Sequence, residues 1–325
     1  LIDGVVNGCP SHLLEPSRTN YSASSELPST WTYTEFGSGS AGTITTGKTD
    51  MFGGTNAVQV DFPSNAENVG ILFGSAISGL GSGNCNISIY VKLVESGSKN
   101  LQLRAGFKDI VNVNSTEFTR VDLSGTKTNT EAFNLKLRPS EGTSSGGFSI
   151  IICHPQEENG SYATSYIPTT TSAVTRSAET ANGAGDASTF NSSEGVLMAE
   201  ISYLADDLSI EGVSISDGSG SNRVVIFKWS NSSNVIKVRI ASGGFNYVNE
   251  NITVSDITDV MKIAVKYKQN DFSIFINGFE LFTETNGSTP INLNTLGFNS
   301  DGLGGAPFYG NTKQIQYFDS ALNDS

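Results

Sequence analysis

Three alternating runs with two turn signals between them constrain this chain more than any other feature. Met261-Lys262-Ile263-Ala264-Val265-Lys266-Tyr267-Lys268, Phe272-Ser273-Ile274-Phe275-Ile276 and Phe279-Glu280-Leu281-Phe282 are separated by Gln269-Asn270-Asp271 and by Asn277-Gly278. Side chains two residues apart share one face of a strand, so each run buries one face and wets the other. Asn-Gly between such runs favours a two-residue hairpin turn, in which both central residues need positive φ. The spacing predicts a meander of three antiparallel strands.

The same period recurs along the chain. In the first half it appears in Ala57-Val58-Gln59-Val60-Asp61-Phe62, Asn86-Ile87-Ser88-Ile89-Tyr90-Val91, Leu101 to Phe107 and Phe133 to Leu137. In the second half it marks Val196 to Ile201, Arg223 to Trp229 and Val235 to Ile240. Gly, Ser and Asn fill the gaps and no helical period intervenes, which argues against a parallel sheet with crossover helices. The 35 glycines and the 16% of charged residues suit a loop-rich β protein. Ile150-Ile151-Ile152 reads as a final buried strand. Pro168 and the Thr/Ser run from Thr169 to Ala173 then discourage regular structure. At 325 residues the chain exceeds the ~100–200 usual for one domain. The expectation is an all-β protein of two tandem antiparallel β-sandwich (jelly-roll) domains, residues 1–175 with an N-terminal extension and residues 176–325.

Gln156-Glu157-Glu158-Asn159-Gly160-Ser161-Tyr162-Ala163-Thr164-Ser165-Tyr166-Ile167-Pro168-Thr169, followed by Val174-Thr175-Arg176, resembles the junction that closes a jelly-roll module in bacteriophage tail and fibre proteins. Leu13-Leu14-Glu15-Pro16-Ser17-Arg18-Thr19-Asn20-Tyr21-Ser22, with Trp31-Thr32 after it, resembles the start of the same modules, which are similar to carbohydrate-binding modules. In the second half, the meander together with Leu296-Gly297-Phe298-Asn299, the Gly310 to Phe318 strand and Ala321-Leu322 resembles the C-terminal half of concanavalin A-like, laminin-G-like sandwiches. These resemblances imply a fibre component of a phage particle, on tail or head, exposed outside the host cell. They imply host-surface glycans and other virion proteins as partners, and a homotrimer, although no coiled-coil heptad in these residues would impose one. The chain begins at Leu1 and is expected to be part of a longer protein.

Candidate sites follow from the ligand class. An apolar ring face complements the C–H groups of a sugar, so Phe245 and Tyr247, after Gly243-Gly244 in a turn-rich segment, are the preferred stacking residues. Trp31 is a third candidate, although a first-strand tryptophan more often plugs a core. Lectins of the second type bind calcium through acidic loop residues. Asp206, Asp207 and Asp217 sit where rims are expected, yet a solvated acidic surface explains them without metal, so no cofactor is assigned and calcium stays open.

Net charge is −13, divided as −5 over residues 1–175 and −8 over the remainder, with no basic stripe, which disfavours nucleic acid. No apolar run approaches the ~18 residues that cross a bilayer, so membrane insertion is not expected. Cys9, Cys85 and Cys153 are too few and too scattered for a zinc site. Cys85 and Cys153 are either bridged or free thiols packed as small apolar groups, and the odd count favours the second.

His12 and His154 stand at module edges without a nucleophile motif, and Glu157-Glu158 falls in what reads as an ordinary loop. A glycosidase carboxylate pair is not legible from spacing. The sequons at Asn20, Asn114 and Asn251 are of the frequency expected by chance in so Asn-, Ser- and Thr-rich a chain. The sequence therefore reads as a non-enzymatic glycan-binding appendage. The alternatives are the accessory portion of a polysaccharide-degrading tailspike or secreted hydrolase, and a passive capsid spacer.

Overall fold

Asn277 and Gly278 adopt φ values of +53° and +86°, as a two-residue hairpin turn demands. The turn is pinned by two bonds: the Asn277 N–H donates to Lys262 O at 2.8 Å, and the Lys262 N–H donates to Asn277 Oδ1 at 2.9 Å. The computed structural model describes residues 11–35, 42–64, 69–72, 82–104, 108–127, 136–139, 147–300, 302 and 305–322. Cys9 and the expected strand residues 105–107 and 133–135 lie outside the described residues.

In chain order the early strands are β1 (His12–Leu14), β2 (Arg18–Asn20), β3 (Thr32–Glu35), β4 (Thr43–Lys48), β5 (Ala57–Phe62), β6 (Val69–Leu72) and β7 (Gly83–Leu93). They continue as β8 (Lys99–Arg104), β9 (Lys108–Val113), β10 (Thr119–Lys127), β11 (Lys136–Pro139), β12 (Phe148–Asn159) and β13 (Val174–Arg176). The later strands are β14 (Asn182–Ala184), β15 (Glu194–Tyr203), β16 (Glu211–Ser216), β17 (Arg223–Lys228), β18 (Val235–Ser242) and β19 (Phe245–Thr253). The meander forms β20 (Met261–Lys268), β21 (Asp271–Ile276) and β22 (Phe279–Glu284), and β23 (Thr295–Gly297) and β24 (Gly310–Phe318) follow. A 3-10 turn at Pro28–Thr30 is the one helical element among the described residues. The protein is all-β, and every strand pairing among the described residues is antiparallel.

The chain divides into two compact units. In Ser17–Ser177, the sheets β10-β7-β12-β5-β4 and β3-β6-β11-β8-β9 share one core, with β13-β2 as a short third ladder. Val58, Val60, Ile87, Ile89, Ile150 and Ile152 meet Ile71, Leu101 and Leu103 across it. The second unit holds the sheets β1-β24-β15-β20-β21-β22 and β14-β23-β16-β17-β18-β19. Leu197, Ile263, Val265 and Ile274 from one sheet meet Val213, Ile215, Val224, Ile226 and Val238 from the other. Each fully buried aliphatic side chain contributes about 1.5–3 kcal/mol, so the facing cores dominate both units.

Two features differ from the sequence expectation. The sequence assigns residues 1–175 to one domain, whereas the unit that contains Ala178–Ser325 also takes the segment ending at Pro16. β1 pairs with β24, His12 opposite Thr312 and Leu14 opposite Gly310, and Leu14 is buried in that unit's core. A backbone clamp fixes it there, because Glu179 N–H donates to Glu15 O and Glu15 N–H donates to Glu179 Oε2.

The second difference lies in the region read as a junction. The strand at Ile150-Ile151-Ile152 does not stop there: β12 runs to Asn159 through a bulge between Cys153 and Gln156, so Glu157 and Glu158 are buried strand residues and not loop residues. The Thr/Ser run is also partly tied down. Thr169 is buried, its N–H donates to Ser25 Oγ at 2.9 Å, and β13 then pairs with β2. Cys85 and Cys153 are free and buried.

Two measurements test this architecture. Leu14→Ala is expected to destabilise the unit containing residues 178–325, and not Ser17–Ser177, by ~2–5 kcal/mol, the usual cost of truncating a core leucine. Two-transition thermal unfolding with domain-specific probes would show it, and a shift confined to the 17–177 transition would contradict it. At Gly278 an added Cβ would touch nothing within 4 Å, so the penalty there is purely conformational. Gly278→Val should cost about 1 kcal/mol or more and Gly278→Asn distinctly less, because Asn tolerates positive φ.

Candidate functional site

β18 and β19 are joined by the two-residue turn Gly243-Gly244, with Ser242 opposite Phe245. Both glycines have positive φ. The hairpin tip is held to a neighbouring loop: Gly243 N–H donates to Asn222 Oδ1 and Gly244 N–H to Ser221 O, each at 2.9 Å. Asn222 is itself fixed, its Nδ2 donating to Asp217 Oδ2 at 2.8 Å. A bulge at Ile240/Ala241 leaves Tyr247 without a directly opposed residue. This re-aims the start of β19, as bulges do at sheet edges.

The structure brings Phe245 and Tyr247 together. Their ring centroids are 4.9 Å apart in an edge-to-face arrangement. Phe245 is 64% exposed while Tyr247 is half-buried, so one ring projects from a partner that is packed into place. The flanking side chain of Asn246 is exposed and supplies donor and acceptor groups beside the rings. A rigid aromatic face with an amide at its rim can stack against a pyranose and bond its hydroxyls.

Trp31 is not part of any such surface. It is 4% exposed, packs into the first unit's core, and its Nε1–H donates to Ser24 O at 2.9 Å. Trp31 caps the 3-10 turn at Pro28–Thr30, and a buried ring offers no face to a ligand. Asp206, Asp207 and Asp217, read as a solvated acidic surface, are instead engaged with protein groups. Asp206 accepts the Asn234 N–H, Asp207 takes the ammonium of the fully buried Lys228 at 2.7 Å, and Asp217 accepts from Ser219 and Asn222. Among the described residues no group of three or more His, Cys, Asp or Glu side chains is arranged to hold a metal ion. Asn20 is wholly buried and donates to Ile167 O, so its sequon is closed to modification.

Sequence reasoning missed an aromatic cluster in the first unit. Phe52 is 65% exposed at the tip of the loop between β4 and β5 and stacks near Tyr166, with centroids 6.1 Å apart and planes at 21°. Its ring also contacts His154 at 5.1 Å and Tyr90 at 5.8 Å. The legible signal was Asp50 followed by Gly53-Gly54. The Asp50 carboxylate accepts from the N–H groups of Phe52, Gly54 and Asn56. Burial pushes that carboxyl up, but the Asn56, Phe52 and Gly54 N–H groups outweigh it and hold it below the usual range.

Under the rings, Tyr166 Oη donates to Glu26 Oε1 and Asn56 Nδ2 donates to Glu26 Oε2 at 2.6 Å. His154 sits on the β12 bulge at φ +55°, buried, with Nδ1 2.9 Å from Glu26 Oε1 and Nε2 3.7 Å from Asp50 Oδ1. Neither ring nitrogen is aligned for a hydrogen bond. His154 is therefore an interior residue of the first unit and not an edge residue, whereas His12 is exposed on β1.

The two consecutive glutamates have different environments. Glu158 accepts the Thr164 N–H at 3.0 Å and the Thr164 hydroxyl. Glu157 is fully enclosed with both carboxylate oxygens unpartnered, and burial pushes its carboxyl up to about 8, partly countered by Lys127. A raised carboxyl can serve as a general acid, but this one is wholly buried.

No known family pattern matches this chain, and no curated relative matches it. Among solved structures, CBM40 of the Ruminococcus gnavus IT-sialidase bound to alpha2,3 sialyllactose aligns with 44% of this chain and 89% of its own, at 15% identity and a TM-score of 0.36. Domains LG4-5 of the mouse laminin alpha1 chain align with 99% of this chain and 95% of theirs, at 8% identity and 0.30. The CBM22-1-CBM22-2 tandem of Paenibacillus barcinonensis Xyn10C aligns with 98% of this chain and 100% of its own, at 9% identity and 0.31.

The Glu157 environment has a pH consequence. Its folded pKa lies above the unfolded carboxylate value, so the stability it contributes is fully present below pH ~4.5 and is lost as pH rises towards about 8. Urea titration of an isolated 17–177 fragment should show stability declining across that window and the decline removed by Glu157→Gln. Identical pH profiles for the two proteins would refute it.

Proposed function

We propose that this chain is a non-enzymatic, glycan-binding appendage whose recognition surface is the tip of the β18–β19 hairpin. The observation that carries this reading is the Phe245–Tyr247 pair, with one ring exposed, the other anchored, and the tip fastened to Asn222 and Ser221. Preorganised rings stack without further loss of conformational freedom. Trp229, half-buried at the end of β17, has Lys237 Nζ 4.0 Å from its ring centroid and is thereby occupied by a protein cation. The polar loops supply hydroxyl and amide groups. Single sites of this kind are shallow, so affinity is built from several copies on one particle.

The assignment to a phage tail or head fibre, facing host-surface polysaccharide and assembled with other virion proteins as a homotrimer, rests on the residues from Gln156 to Arg176 and on Leu13 to Ser22. No helix among the described residues is long and apolar enough to cross a membrane. The non-enzymatic reading is supported by the commitment of the described buried carboxylates to backbone and side-chain partners, and by the enclosure of Glu157. The site as drawn uses no metal.

The intact protein is expected to bind host-surface polysaccharide, with the double substitution Phe245→Ala and Tyr247→Ala weakening it roughly tenfold, about 1.4 kcal/mol. Chelator should leave binding unchanged, and incubation should release no reducing ends or unsaturated products. Unchanged binding by the double variant would remove this site. Cleavage of the polymer would favour the tailspike reading instead.

A further inference from the structure

A second surface of the 178–325 unit differs chemically from the hairpin tip. The loop from Thr253 to Met261 and the turn and strand from Ile276 to Leu281 enclose an open groove of about 380 Å³. Its floor is Met261 and Ile276, both buried, and its walls carry Val260, Phe279 and Leu281, which are 42%, 72% and 52% exposed. Three large apolar side chains left open around one depression form a patch that soluble proteins normally cover or use. Among the described residues, the charged ones that line the groove are Asp256 and Asp259. Asp256 is held ionised, since the Thr258 hydroxyl and N–H donate to it and keep its carboxyl below the usual range.

The wall strand also lies at a sheet edge among the described residues. β22 is the last strand of its sheet, and β19 is the last strand of the facing one. A bulge between Ile274 and Phe275 leaves the exposed Leu281 outside the regular ladder, an irregularity that blunts strand-to-strand pairing. Recognition therefore falls to side-chain pockets more than to ladder extension.

We infer that this groove docks an extended peptide segment of a partner protein, one that alternates large apolar side chains with Lys or Arg. The apolar side chains fill the space between Val260, Phe279 and Leu281, and a cation meets Asp256 and Asp259. Charge selects this occupant over a second copy of the chain. A two-fold contact between identical patches would set Asp256, Asp259 and Glu280 against themselves, in a chain half that already carries −8.

The test uses the intact protein and a fluorescein-labelled seven-residue peptide of alternating Leu and Lys capped by glycines, followed by anisotropy at low and high salt. Matched peptides carry Glu for Lys or Ser for Leu. The expected result is saturable binding of the Leu/Lys peptide, weakened at least tenfold by Leu281→Asp and by either matched peptide. Asp259→Asn should weaken it severalfold and flatten its salt dependence. Leu281 and Asp259 are exposed, so both variants should keep the parent melting temperature, which circular dichroism checks. The inference is overturned if the Leu/Glu peptide binds as well as the Leu/Lys peptide. It is equally overturned if Leu281→Asp binds normally while folded, or if light scattering shows a dimer that Leu281→Asp dissolves. Glycan binding at Phe245 and Tyr247 is read separately and does not bear on this outcome.

Discussion

The long strands among the described residues each carry a face that cannot remain in water, and the packing of the sheets is a response to that requirement. An isolated sheet of five or six strands would leave Ile, Val and Leu at every second position exposed, so each unit closes one sheet upon another. The facing sheets then fix the register of every strand, because a slip of one residue would turn an entire apolar set outward. β12 shows the force of the rule. It survives a bulge at His154-Pro155 and resumes pairing with β7 at Gln156, because Ile150 and Ile152 before the bulge anchor the strand in the core.

Once the sheets are fixed, buried polar groups must find partners, and this turns loops into supports. Gln156 Oε1 accepts the Ile167 N–H while Asn20 donates to Ile167 O, so the segment after β12 is stitched back onto its own unit. Asp50 gathers three N–H groups, and Glu26 ties Tyr166 to Asn56. In the second unit Asn222 and Asp217 play the same part beneath the β18–β19 turn. Each such bond contributes only ~0.5–1.5 kcal/mol net, yet an unmade one in the interior costs more, so the loops are held in single arrangements. Exposed aromatic rings at Phe52 and Phe245 thus stand on rigid bases, which is the physical precondition for using them in recognition.

Glu157 breaks this pattern. It sits where the alternation of β12 points a side chain inward, opposite Ile87, and no hydrogen bond reaches its oxygens. Burial of such a group costs stability unless it is neutral or paired, and Lys127 supplies an opposing charge. Its raised carboxyl is the reason the first unit's stability is expected to fall as pH rises.

The sequence alone determined the all-β class and much of the strand set, because period two and the Asn277-Gly278 turn are local properties read directly from side-chain order. β5 occupies Ala57–Phe62 and β20 occupies Met261–Lys268, the residues the alternation marked. It also drew attention to Phe245 and Tyr247, aromatics that follow the Gly243-Gly244 turn signal. Only the tertiary structure decided the rest. That β1 belongs with β24, that Trp31 turns into the core and that Phe52 gathers Tyr90, His154 and Tyr166 all depend on residues distant in the chain. Such contacts arise from how sheets stack and where loops land, and no spacing between neighbouring residues records them.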